Sequence, residues 1–190
     1  MDTDLKSYVK TYNMLNHSQC DVILNELTSV KFHRHQFQHY DGTLISSDID
    51  PKVFTVDENN FHIDATDFLM KQYWSCLSQY LKEDINFEWY NNWNGFTKPK
   101  FNWYNSNTGM KNHCDHIWDI FDGSIKGIPV LSMIALLNDD FDGGEFVMFD
   151  TESYNLKKGE LIIFPSIFLF PHKVNPVTNG ERISMVSWVY

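Results

Sequence analysis

His113 and Asp115 place an imidazole and a carboxylate two residues apart, with Cys114 between them; His172 and Arg182 follow far downstream. In an extended strand residues i and i+2 face the same side, so His113 and Asp115 can address one metal ion. His172, brought back from a distant strand, adds a second imidazole. Two imidazoles and one carboxylate on one side of an ion leave coordination positions open, as in non-haem Fe(II) oxygenases. Arg182 offers a guanidinium, which binds a carboxylate through two parallel hydrogen bonds, and Ser184 adds a hydroxyl facing the same way. A bare H-x-D is a weak signal in a chain with eight histidines. Alone, Arg182 reads better as a surface ion pair with Glu181 or another acid. The residues carry weight together: a metal centre beside a carboxylate-bearing co-substrate.

Such a cluster needs strands to hold it. Strands are read at Ile128–Leu137, which is apolar, at Phe146–Phe149 and Leu161–Phe164, at the short His172–Val174 and at the alternating Ile183–Val189, divided by Gly, Asn and Pro turns. Short strands at this spacing predict a β-barrel or jelly roll. Residues 8–15 predict a further strand. Asn16–Ser18 predicts the cap of a helix over roughly 18–29, with Val22, Ile23, Glu26 and Leu27 as its stripe. A second helix is expected from Asp64 or Thr66 to about Leu81, burying Phe68, Leu69, Trp74, Leu77, Tyr80 and Leu81. The fold class expected is α+β, mainly β: a jelly-roll core with amino-terminal helices packed on one sheet. No linker divides the chain, so residues 1–190 read as one domain, its core jelly roll at about 101–190.

Other segments read more plainly. His33, His35 and His39 mimic a metal pair, but no carboxylate follows at the right offset, so a polar strand or loop is expected. Residues 41–60 are rich in Asp, Ser, Asn and Gly and read as a long excursion; with Asn91–Lys100 they are a candidate substrate lid. Phe87–Asn91 and Phe101–Asn105 share the pattern F-x-W-Y-N and predict two adjacent strands. Cys114 and His116 would point away from the metal. The formal net charge of -10, with no Lys/Arg cluster, argues against nucleic acid as a partner. Three scattered cysteines suit a reducing compartment, and neither a signal-like apolar segment nor a membrane-length run is seen. A cytoplasmic location with no membrane partner is therefore expected; nothing in the residues specifies oligomeric state.

From about Phe101 to Tyr190 the chain resembles the Fe(II)/2-oxoglutarate-dependent oxygenases, in their prolyl 4-hydroxylase-like branch. The likeness is carried by Tyr104, His113-Cys114-Asp115, Gly143-Gly144-Glu145-Phe146, Lys158-Gly159-Glu160, Phe164-Pro165-Ser166, His172-Lys173-Val174, Gly180-Glu181-Arg182-Ile183-Ser184 and Trp188. The resemblance implies a double-stranded β-helix with His113, Asp115 and His172 as iron ligands. It implies Arg182 on the far carboxylate of 2-oxoglutarate, helped by Tyr104 and Ser184, and Trp188 near the substrate. Fe(II), 2-oxoglutarate and O2 would be the reactants at the centre, with ascorbate a candidate reductant. The implied reaction is hydroxylation of an unactivated C–H bond with release of succinate and CO2. Asp115, retained where related halogenases carry a small residue, favours hydroxylation over halogenation. A proline-containing peptide or protein is the first substrate expectation, as a peptidyl-proline 4-hydroxylase. Against it, Met110 stands where prolyl hydroxylases usually carry a second tyrosine, which leaves the substrate side open. A free amino acid or other small molecule is the alternative, as is a non-catalytic binding module on the same barrel. The demethylase branch carries a second arginine where this chain has Trp188, so nucleic-acid demethylation is disfavoured.

Overall fold

The computed structural model describes residues 4–38, 43–56, 63–86, 93–116 and 128–190. Eleven strands build its two main sheets: β1 Lys10–Asn13, β2 His33–Arg34, β3 Lys52–Thr55, β4 Lys100–Tyr104, β5 Met110–His113, β6 Leu131–Leu136, β7 Phe146–Met148, β8 Glu152–Tyr154, β9 Glu160–Pro165, β10 His172–Val174 and β11 Arg182–Val189. A seven-stranded sheet runs β1-β9-β6-β11-β4-β3-β2, and a four-stranded sheet runs β8-β7-β10-β5. All described main-sheet pairings are antiparallel.

The period of two along the large sheet divides the interior into two cores. On β6, Met133 and Ala135 join the residues of the amino-terminal helices, while Ile134 and Leu136 join those of the small sheet. On β11, Met185 takes the helix side and Val186 and Trp188 the side between the sheets. Both faces of these central strands are thus covered, which explains why Leu131–Leu136 reads as an unbroken apolar run with every residue buried. The jelly-roll expectation, with helices on one sheet, agrees with this layering.

Helix α1 (His17–Leu27) starts at Asn16, whose Oδ1 accepts from Gln19 N while Gln19 Oε1 accepts from Asn16 N, each at 2.9 Å. This reciprocal cap satisfies two N-terminal groups of a helix too short to stand alone. Its buried face keeps Ile23 and Leu27 of the expected stripe and adds Cys20, while Val22 is 58% exposed and Glu26 is half-buried. The Cys20 thiol packs as an apolar group, so the face turns away from Val22 and toward Cys20. Helix α2 (Thr66–Gln79) continues into a π turn at Tyr80–Asp84. Leu69, Tyr73, Cys76, Leu77 and Tyr80 are buried, whereas Trp74 is 46% exposed and stacks on Trp93 at 5.6 Å between centroids. Trp74 is therefore not a core residue; Tyr73 holds the place assigned to it.

The excursion at 41–60 is likewise more structured than expected. Lys52–Thr55 is a strand of the large sheet, paired with β4 and burying Phe54, because Val53-Phe54-Thr55 has strand-forming side chains behind Pro51. Residues 41–42 and 57–60 of the excursion, residues 91–92 of the candidate lid, the first F-x-W-Y-N segment and His39 lie outside the described residues. The second F-x-W-Y-N segment supplies β4. Gly159 shows why one glycine of the sequence motifs is needed. Its φ is +88°, and a Cβ there would stand 2.1 Å from Leu15 O, where the turn before β9 takes backbone hydrogen bonds from Met14 and Leu15.

Candidate metal and co-substrate site

Neighbouring strands β5 and β10 set His113 directly opposite His172, their ring centroids 4.4 Å apart. The strand ends at His113, so Asp115 reaches the same point from the bend that follows and not by strand alternation. His113 Nε2 lies 3.4 Å from Asp115 Oδ1, and His172 Nε2 lies 3.7 Å from Asp115 Oδ2. One ligand atom from each of the three falls within 4.8 Å of the others. Each imidazole turns its other nitrogen to a backbone carbonyl, His113 Nδ1 to Lys111 O at 2.7 Å and His172 Nδ1 to Phe170 O at 3.2 Å. Donation from Nδ1 leaves both Nε2 lone pairs directed at the cluster, as metal-ligating histidines require. Phe146 and Phe164 hold the His172 ring from two sides, at 5.5 and 4.9 Å.

The protonation states of His172 and Asp115 favour the same use, whereas at His113 the effect of burial is outweighed by Asp115, which raises its pKa. Burial pushes His172 down to about 4 despite the Asp115 charge, so its ring is neutral near pH 7. Burial would raise Asp115, but His172, His113 and the Ser132 hydroxyl together hold it well below the usual carboxylate range. A neutral imidazole and an ionised carboxylate are the forms a divalent cation binds. Two donors converge on Asp115 Oδ2: Ser132 Oγ at 2.7 Å and Trp188 Nε1 at 3.0 Å, with Ser166 Oγ behind Ser132 at 2.8 Å.

The cluster faces a cavity of about 310 Å³ between the sheets. Also lining it, Arg182 is paired in register with Tyr104, its guanidinium carbon 5.1 Å from the phenol ring. Arg182 is 2% exposed and donates to Ser184 Oγ at 2.9 Å, while Glu181 is exposed; no carboxylate pairs with Arg182 among the described residues. The surface ion-pair reading fails on that burial. Since Ser184 Oγ accepts from Arg182, its own proton is free for a ligand. Burial pushes the Tyr104 phenol up to about 12, so it too remains a donor. Three donors, one a fixed cation, thus line the same cavity as the metal-ligand cluster. Gly144 preserves this geometry: its φ is +65°, and a Cβ there would meet Arg182 Cδ at 3.0 Å.

Residues 99–190 match the family model for the 2OG-Fe(II) oxygenase superfamily. These residues form a 2OG-Fe(II) oxygenase domain. A PKHD-type hydroxylase of Paraburkholderia phytofirmans is 33% identical over 96 residues, 48% of this chain and 41% of that protein. A PKHD-type hydroxylase of Pseudomonas aeruginosa is 35% identical over 96 residues, 47% and 42% of the two chains. The match thus spans about two-fifths of these curated relatives. In fold, the chain is similar to a Pseudomonas putida prolyl-4-hydroxylase, with TM-score 0.68, 17% identity and coverage of 96% and 91% of the two chains. It is also similar to a Trichoplax adhaerens prolyl hydroxylase solved with a hypoxia inducible factor peptide fragment, with TM-score 0.71, 19% identity and coverage of 97% and 84%.

Every site residue expected from the sequence lines the oxygenase domain's cavity: Tyr104, Met110, His113, Asp115, His172, Arg182, Ser184 and Trp188. Met110 is 8% exposed. Cys114 turns away, its thiol 3.5 Å from Phe168 O, and His116 is exposed, both as expected. Trp188 proves to be tied to Asp115 as well as exposed to the cavity. Lys100, Asn102, His35 and Leu44 also line the cavity and went unrecognised, as did Ser132 behind Asp115. A faint signal existed for the first two: Lys100, Asn102 and Tyr104 share one strand face.

Proposed function

We propose that the chain is an Fe(II)- and 2-oxoglutarate-dependent dioxygenase acting on a peptidyl proline. The observation that carries the reading is the shared cavity, lined both by the His113–Asp115–His172 cluster and by the buried Arg182, which no carboxylate pairs among the described residues. When bound there, Fe(II), O2 and 2-oxoglutarate supply oxidative decarboxylation to succinate and CO2, coupled to hydroxylation of a C–H bond. The chain's own part is binding and orientation. His113, Asp115 and His172 would hold the ion on one side, and Ser132 and Trp188 would fix the Asp115 carboxylate. Arg182, Ser184 and Tyr104 would grip the far carboxylate of the co-substrate. The apolar walls Ile134, Val174 and Val186 exclude water from the reacting region.

A peptide substrate is supported by the cavity's rim as well as by the names of the similar proteins. Leu44 lines the cavity yet is 62% exposed, and nearby in sequence Ile45 and Ile49 are 48% and 51% exposed. Such a margin suits a ligand larger than the cavity itself. The test is succinate release with Fe(II), 2-oxoglutarate and O2 in the presence of proline-containing peptides, free amino acids or methylated oligonucleotides. Peptides should stimulate release, and His113→Ala should abolish it. Undiminished succinate from His113→Ala would sink the metal assignment; stimulation by none of the peptides would remove the substrate.

A further inference from the structure

Strand β4 sends Lys100, Asn102 and Tyr104 into the cavity, while Phe101 and Trp103 pack on the opposite side. In the pairing with β11, Tyr104 faces Arg182 and Lys100 faces Val186. Four residues of strand, roughly 13 Å, therefore separate this second cation from the co-substrate end. Lys100 Nζ lies 5.8 Å from the centroid of the Trp188 ring, whose Nε1 bonds Asp115. No ion pair of the Lys100 ammonium occurs among the described residues. His35 and His113 add only neutral or positive groups around it, and Asp115 is already held by Ser132, Trp188 and the two imidazoles. Beside Lys100, Asn102 is 7% exposed, and its Oδ1 is buried without a hydrogen-bond partner.

A half-buried ammonium with no carboxylate beside it but Asp115, and a buried amide oxygen with no hydrogen-bond partner, offer a ligand two polar groups on one wall of the cavity. Charge points to what that ligand carries. A divalent ion, Asp115 and Arg182 balance a dianionic 2-oxoglutarate, so Lys100 remains as one uncompensated cation. We propose that Lys100 is a specificity-determining residue that takes a carboxylate of the hydroxylated substrate, with Asn102 Oδ1 accepting an N–H of the same molecule. This inference rests on the dioxygenase reading and narrows its substrate to molecules bearing a carboxylate near the target carbon. That carboxylate comes from an acidic residue beside the target proline, from a chain terminus, or from a free amino acid.

Calorimetry on the whole chain loaded with Mn(II) and N-oxalylglycine, an unreactive 2-oxoglutarate analogue, separates binding from turnover. The probes are Ac-Ala-Pro-Ala-NH2, Ac-Ala-Pro-Glu-NH2, Ac-Ala-Pro-OH and L-proline. At least one carboxylate-bearing probe should bind about tenfold tighter than the neutral peptide, and the tightest identifies the source. Lys100→Met should erase that preference and Lys100→Arg retain it, with Mn(II) and 2-oxoglutarate affinities unchanged in both. No carboxylate preference in the wild type overturns the inference alone, as does a Lys100→Met chain that loses 2-oxoglutarate affinity. A wild type that binds neither Mn(II) nor 2-oxoglutarate overturns the dioxygenase reading and this inference with it.

Discussion

Asp115 takes two side-chain hydrogen bonds on one carboxylate oxygen, and that support makes the metal assignment sensitive to residues that never touch the ion. Trp188→Phe keeps an aromatic ring but removes the donor 3.0 Å from Asp115 Oδ2. Partners of metal ligands typically govern affinity by roughly 10–100-fold, so Mn(II) affinity should fall by that order while the fold persists. Equal Mn(II) affinities in wild type and variant would show that the bond positions nothing. Lys100 makes the opposite trade. Burial pulls its pKa from 10.5 to about 8, so the folded chain releases a proton that the unfolded chain retains between those values. Stability of the ligand-free chain should therefore rise with pH across that window. Lys100→Met should melt higher than wild type at pH 7, and the gap should close as pH rises from about 8 towards 10.5. A gap that stays constant across this range would mean that the ammonium is not strained by its surroundings. His113, Asp115, His172 and Arg182 were legible in the sequence because their chemistry is restricted and their order informative. Lys100 was not, since a lysine in a strand ordinarily reaches solvent. Ser132 looked like one small residue in an apolar run until the fold placed it under Asp115.

Elements were legible where one physical signal dominated. Helix α1 begins where the Asn16 cap dictates, and β10 coincides with His172–Val174 because Pro171 and Asn175 bound it. Where two signals competed, packing decided. Trp74 is apolar by composition but lies off the face set by Leu69, Tyr73 and Leu77, and it stacks with Trp93 instead. The polar character of 41–60 concealed β3, whose pairing with β4 no local pattern could specify. The turn at Gly143-Gly144 matters for a reason that lies between elements: it brings backbone against the Arg182 side chain. Gly144→Ala combines a disfavoured positive φ with a Cβ in tight contact with Arg182 Cδ. It should weaken 2-oxoglutarate binding about tenfold or more through a displaced guanidinium, yet leave Mn(II) affinity intact because the ligand cluster lies on other strands. Calorimetric titration of each ligand in turn checks this, and equal losses for both would point to general destabilisation.

Across the whole molecule, the cavity draws on both sheets: β5 and β10 bring His113 and His172, while β4 and β11 bring Tyr104 and Arg182. Ligands that join these walls must stabilise the fold they hold together. A metal at 100 times its dissociation constant contributes about 2.7 kcal/mol to the folded state. For a chain of this size that corresponds to a rise in Tm of roughly 5–10 °C. Mn(II) added to EDTA-stripped protein should produce such a shift, and 2-oxoglutarate should add a further increment only after the metal. Arg182→Ala should keep the first shift and lose most of the second, because it removes the cation that anchors the far carboxylate and leaves His113, Asp115 and His172 in place. His172→Ala should lose both, since the co-substrate step follows the metal step. The order separates the two roles even if either variant is itself less stable, because each shift is measured against the same variant without ligand. A 2-oxoglutarate shift that survives in His172→Ala, or a metal shift lost in Arg182→Ala, would show that the walls do not divide the work as their geometry indicates.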